Sequence, residues 1–141
     1  MGEENGLPQV VEPLLDLHLQ MLIKFVEQSD ANRVPVTLNV PGTVIFGQLA
    51  SPSAWSTRWV ERIGAMVGDG KEHLSFLPDQ TRQAVDELMK EQGGEEPRIL
   101  PRWVHLLDAR MVTGAMNTMV DVPLWRGRLA DVSGWSIGVP D

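Results

Sequence analysis

A chain of 141 residues with 43% apolar and 22% charged side chains can bury one core of its own and is too short for two ordinary domains, so disorder is confined to ends and loops. Its net charge of −7 repels phosphate backbones and anionic lipid surfaces, so neither nucleic acid nor membrane is an expected partner. The absence of cysteine excludes disulfides, thiolate catalysis and Cys-based zinc sites, and fits a cytoplasmic location.

The first residues carry Glu3 and Glu4 instead of a basic region, so no secretory leader is expected. Residues 8–30 read as an N-terminal helix: Val11, Leu14, Leu15, His18, Met21, Leu22, Phe25 and Val26 recur at helical spacing, with Pro13 tolerable in a first turn. Leu17, Leu19 and Ile23 widen that stripe, which predicts packing on more than one neighbour or at a subunit contact. The apolar run from Leu14 to Val26 is interrupted by Asp16, His18, Gln20 and Lys24 and is shorter than the roughly 20 residues that cross a bilayer.

The period then changes from helical to alternating. Val36, Leu38 and Val40 alternate with Thr37 and Asn39, Pro41-Gly42 breaks the run, and Thr43 to Ala50 resumes it, so residues 34–50 form a β-hairpin. The second run is apolar on both faces around Ile45 and Phe46, as in a strand enclosed between a barrel interior and a covering helix, and Gly47 reads as a bend or close backbone approach.

Residues 51–101 read as a helical insertion and linker. Ser51-Pro52 is a capped start with proline at the first helical position, Trp55, Trp59 and Ile63 follow at four-residue steps, and Gly68 ends the helix. Asp79 opens a second helix with Ala84, Val85, Leu88 and Met89 as its stripe, and Gly93-Gly94 with Glu95-Glu96-Pro97 makes a polar connector. Strand character returns over residues 102–139, as Arg102 to Val112, Val122 to Val132 and Trp135 to Val139. The expected fold is therefore a single α+β domain over residues 1–141. It is a small five-stranded antiparallel β-barrel with an N-terminal helix and a two-helix insertion between the second and third strands, and barrel closure would remove exposed edges.

Catalytic chemistry is sparse. Without cysteine, nucleophile-and-base chemistry reduces to serines and three scattered histidines: His18 on the apolar helix stripe, His73 in a helix connector and His105 in a strand beside Trp103. No histidine pair has metal-ligand spacing and the acids lie on solvent-facing positions, so no metal or cofactor is expected. Gly68-Asp69-Gly70-Lys71 lacks the glycine and hydroxyl positions of a phosphate loop and follows a helix, which makes it a helix-ending turn. Ser133 with His105 would be the pair left to a small hydrolase, though no nucleophile motif places either.

Five tryptophans and no tyrosine are a stronger signal, because indoles serve both cores and interaction hot spots. In Leu124-Trp125-Arg126-Gly127-Arg128, alternation sends Leu124, Arg126 and Arg128 to one side, and Trp125 with Leu129 to the other. The two arginines then form a basic strip that is either salt-bridged to neighbouring acids or a partner site. Trp125, Arg126 and Arg128, with Leu22 and Phe25 of the N-terminal helix, are the candidate partner-binding residues.

Two segments carry a family resemblance. The run from Val36 through Pro41-Gly42 to Leu49, and that from Val104-His105-Leu106 through Trp125-Arg126-Gly127-Arg128 to Trp135-Ser136-Ile137-Gly138, resemble the gas vesicle protein U family of accessory proteins. The same segments are more distantly similar to the Sm-like barrel, with Leu38, Gly42, Gly47 and Leu49 in its first motif and Arg126-Gly127 in its second. The resemblance implies a non-enzymatic assembly factor or chaperone-like regulator that binds gas vesicle structural or assembly proteins. An Sm-like nucleic-acid-binding module and a small hydrolase are the alternatives. Edge strands and the wide helix stripe add an expectation of a homo-oligomer.

Overall fold

The computed structural model describes residues 15–66, 74, 76, 77, 79–81, 83, 84, 87, 100–114 and 118–139. Helix α1 spans Leu17–Glu27, strands β1 and β2 span Val34–Val40 and Thr43–Leu49, and helix α2 spans Pro52–Gly64. Strands β3 (Trp103–Thr113), β4 (Thr118–Arg128) and β5 (Gly134–Ile137) follow, with one 3-10 turn at Leu129–Asp131 between the last two.

All neighbouring strands pair antiparallel in one sheet of order β4-β3-β2-β1-β5. The sheet is open: β4 and β5 each have a single neighbour, so the expected barrel closure is not made. The inner apolar face is instead buried by a helix. Leu19, Ile23 and Val26 of α1 pack on Val36, Leu38, Ile45, Leu49, Val104 and Leu106, which satisfies burial without a closing ladder.

Helix α1 begins at Leu17, where Asp16 is its N-cap and accepts from the Leu19 N–H at 3.0 Å, while residues 8–14 of the expected helix lie outside the described residues. The other carboxylate oxygen of Asp16 accepts from the Trp135 indole at 2.8 Å, tying the start of α1 to β5. These two hydrogen bonds, the Leu19 one first, hold the Asp16 carboxyl below its ordinary value. At the far end, both oxygens of Asp30 accept from Ser51 and Ser53, at 2.7 and 3.0 Å, while the buried Ser51 hydroxyl accepts from the Ala54 N–H and caps α2. One acid thus couples the exit of α1 to the entry of α2.

The buried side of α1 is Leu19, Gln20, Ile23 and Val26, with Leu15 and Leu22 packed beside them. His18, placed by pattern on the apolar stripe, is instead 94% exposed, because the packed face is centred one position further round the cylinder. Leu17, Met21 and Phe25 also point away from the core.

Of the two-helix insertion, α2 is present. Residues 79–81, 83, 84 and 87 are helical, while the rest of the expected second helix, its glycine stop, His73 and residues 68–71 lie outside the described residues. Strand β4 starts earlier than the pattern predicts, at Thr118. Register partners run from Thr113↔Thr118 to Trp103↔Arg128, so β3 and β4 form one long hairpin whose outer part carries exposed Met119 and Val120.

Gly47 sits where β2 meets a bulge in β3: Phe46 pairs Arg110 and Gln48 pairs Leu107, leaving Gly47 opposite two residues. One of these, Asp108, has φ 52, and its carboxylate accepts from Arg58 of α2 at 3.0 Å. A Cβ at Gly47 would stand 2.9 Å from the Ala109 Cα and 3.0 Å from the Leu107 carbonyl oxygen, which are backbone atoms held in the ladder. Gly47→Ala is therefore expected to cost about 1–3 kcal/mol of stability. A urea midpoint equal to wild type, at unchanged slope, would refute the close approach.

Candidate functional site

Strand β3 is buried at four consecutive positions, Val104 to Leu107, so both of its faces are covered. Val104 and Leu106 face the α1 core, whereas Leu107 joins Ala50 and Ala54 in a second cluster flanked by Trp55 and Leu124. On this second side, between α2 and the sheet, opens a cleft of about 510 Å³. Pro52, Trp55, Ser56 and Trp59 of α2 form one wall, and Pro101, Arg102, Trp103, His105 and Arg126 form the other. Leu77 and Thr81 of the insertion and Glu27 of α1 complete the rim.

The aromatic residues contact one another in series. Trp55 and Trp59, one helical turn apart, stack with ring centroids 5.5 Å apart and planes at 29°. Trp55 meets His105 edge-on at 5.5 Å, and the Arg126 guanidinium lies 3.8 Å from the Trp103 ring centroid. The Trp59 indole donates to the Leu74 carbonyl at 3.0 Å, while the Trp55 Nε1 is buried without a partner among the described residues.

The polar centre of the cleft is a pair. Arg126 Nε donates to His105 Nε2 at 3.1 Å, across strands whose register sets these two residues opposite one another. Accepting this bond places the imidazole proton on Nδ1. Burial first, and the Arg126 charge second, push His105 down to about 4, so it is neutral at physiological pH. Burial also lowers Arg126 from its ordinary value, which still leaves the guanidinium cationic. Burial raises the Glu27 carboxyl at the rim, with Lys24 acting in the opposite sense.

The predicted partner-binding residues do not converge. Trp125 packs against the α1-side core, and its ring covers Gly127, where a Cβ would overlap the indole Cη2. Arg126 faces the cleft, but Arg128 is held by both oxygens of Asp131 at 3.1 Å, so the strip divides into one cleft residue and one surface ion pair. Leu22 packs on the core while Phe25 faces outward. Sequence reasoning noted Trp55, Trp59, Trp103 and His105 singly and missed their union. Shared strand parity of Trp103 and His105, with Arg126 on the neighbouring hairpin strand, is the signal that unites them.

The shift of His105 has a consequence for stability. Between pH 6.5 and about 4 the unfolded chain takes up a proton at this side chain that the folded chain refuses, so stability falls as pH drops through that window. From pH 7 to pH 5 the loss amounts to about 2 kcal/mol. His105→Gln should remove it, seen as a shallower fall in urea midpoint over that range; equal slopes for the two proteins would refute the assignment.

A family model described as "Gas vesicle protein GvpU-like" matches residues 16–140. No curated protein and no solved structure matches the chain.

Proposed function

The chain belongs to the GvpU-like family of gas vesicle proteins, and on that premise we propose that it is a non-enzymatic accessory protein, an assembly factor or chaperone-like regulator acting in the cytoplasm. It works by holding gas vesicle structural or assembly proteins, not by converting a substrate. The observation that carries this reading is the outward face of α1, where Leu17, Met21 and Phe25 follow at four-residue steps and are 58%, 55% and 48% exposed. A row of three large apolar side chains on a chain of net charge −7 is an adhesive surface on a well-solvated body.

The residues of the hydrolase alternative are otherwise engaged. His105 Nε2 accepts from Arg126, and the Ser133 hydroxyl donates to the Asn39 carbonyl at 3.2 Å beside the β1–β5 pairing. Each is engaged at a different part of the sheet, which favours the protein-contact reading over a nucleophile and its base.

The same α1 face is the proposed contact between copies of the chain, giving a homo-oligomer. Light scattering at micromolar concentration should then give a mass well above the 15.7 kDa of one chain. The double variant Met21→Glu, Phe25→Glu should return it to one chain without lowering the melting temperature, whereas Leu22→Glu should unfold the protein, since Leu22 packs on the core. A wild-type mass of one chain would overturn the self-association. A tagged chain in a vesicle-forming host should also recover gas vesicle proteins, and their absence from the eluate would remove the assembly role.

A further inference from the structure

The tryptophan-lined cleft holds a guanidinium, that of Arg126, which no carboxylate among the described residues bridges. Elsewhere in the described residues, Arg58 is bridged to Asp108 and Glu61, Arg110 to Asp121, and Arg128 to Asp131. Arg126 is held by its Nε on His105 and by one face on Trp103, and among the described residues it has no acid within ion-pair distance. Arg33 likewise donates to neutral groups, the carbonyls of Asp30 and Asn32, but it does so at the exposed surface, whereas the Arg126 guanidinium is part-buried, where a charge anchored only by neutral groups is costly.

We propose that this cleft docks an acidic-apolar segment of a partner protein, its carboxylate on the outer edge of Arg126 and its neighbouring apolar side chain against Trp55, Trp59 and Trp103. Three features favour this occupant. With Nε and one face used, the two Nη groups of Arg126 keep the donors needed for a carboxylate fork. His105 fixes the guanidinium through a lone pair and so orients the charge without cancelling it, which lowers the ordering cost of binding. The indoles and the two prolines supply rigid apolar area at low entropic cost, in a space of about 510 Å³ that admits a few side chains.

A cationic ligand fits poorly, because the Trp103 face already carries the protein's own cation. A phosphate chain, charged at every nucleotide, meets the repulsion of the net charge of −7 many times over, whereas a single carboxylate meets it once and is answered by Arg126. The proposal rests on the protein-contact reading above, but it concerns a different surface from the α1 face and is independent of which gas vesicle protein carries the segment.

The test uses the full chain and capped hexapeptides of Gly and Ser containing one Glu beside one Leu or Trp, with matched peptides in which Gln or Lys replaces the Glu. Binding is followed by the indole N–H signals in nitrogen-15 spectra, assigned through single Trp→Phe variants. The Glu peptides should shift the Trp59 and Trp103 signals, leave that of Trp135 in place, and bind at least tenfold more tightly than the Gln peptides. Arg126→Gln should erase that tenfold preference while Trp135 keeps its native signal. Should that variant unfold, the Glu-to-Gln contrast on the wild type decides alone. No shift at millimolar peptide, equal binding of Glu and Gln peptides, tighter binding of the Lys peptide, or preferential binding of single-stranded oligouridine at these indoles would each overturn the proposal. A failed pull-down beside an intact Glu preference would remove the gas vesicle partners and leave the cleft assignment standing.

Discussion

The architecture depends on β3 being buried on both faces. A strand in an antiparallel sheet can leave one face to water, and most such strands alternate apolar and polar residues. Here, four consecutive residues from Val104 to Leu107 are enclosed, and that requires a layer on each side of the sheet. Helix α1 supplies one layer and α2 the other, with Asp30 fastened to the hydroxyls of Ser51 and Ser53 so that the end of the first helix fixes the start of the second. The bulge at Asp108 belongs to the same constraint, since it lets Ala109 join the α1-side core only two positions after Leu107 has faced α2.

The cleft lies beside the contact of the second layer with the sheet. Helix α2 packs on β3 through Ala54 and Leu107, and the cleft beside that contact has indoles on both walls, Trp55 and Trp59 from the helix and Trp103 from the strand entry. Burial first, and the neighbouring guanidinium second, explain the neutral histidine at its base. A buried imidazolium beside a guanidinium would place two like charges at hydrogen-bond distance, so the imidazole gives up its proton and serves as an acceptor. The Arg126–His105 pair therefore carries one charge, not two.

Much of the fold was legible in the sequence because its signals are local. The hairpin around Pro41-Gly42, the capped start at Ser51-Pro52 and the strand character of the last third all rest on short-range periodicity or turn chemistry. Closure was not legible, because alternation reports that a strand has a buried face and is silent on whether a neighbouring strand or a helix covers it. The phase of α1 was misread for a related reason: with eleven apolar or amphipathic positions competing, the stripe is nearly continuous, and only the tertiary contact decides that Leu19 and Ile23 point inward while Met21 and Phe25 do not. The cleft lay further from reach. Its members come from α1, α2, β3, β4 and the insertion, and only the strand register brings His105 against Arg126.

The pairing of β5 with β1 has a bearing on how the chain is made. The partner of Val36 is Ile137, and the Thr37 hydroxyl donates to the carbonyl of Gly138, 101 residues later in the sequence. At ribosomal speeds of about 5–20 residues per second, β1 waits roughly 5 to 20 seconds for the strand that covers its outer edge. During that interval, β1 and β2 can form their hairpin and α1 can settle on it, yet a row of backbone donors and acceptors along β1 stays open to any extended segment nearby. A nascent chain of this kind is most vulnerable to wrong partners before its own C-terminal strand arrives, and the short β5 then acts as the latch that ends the exposure.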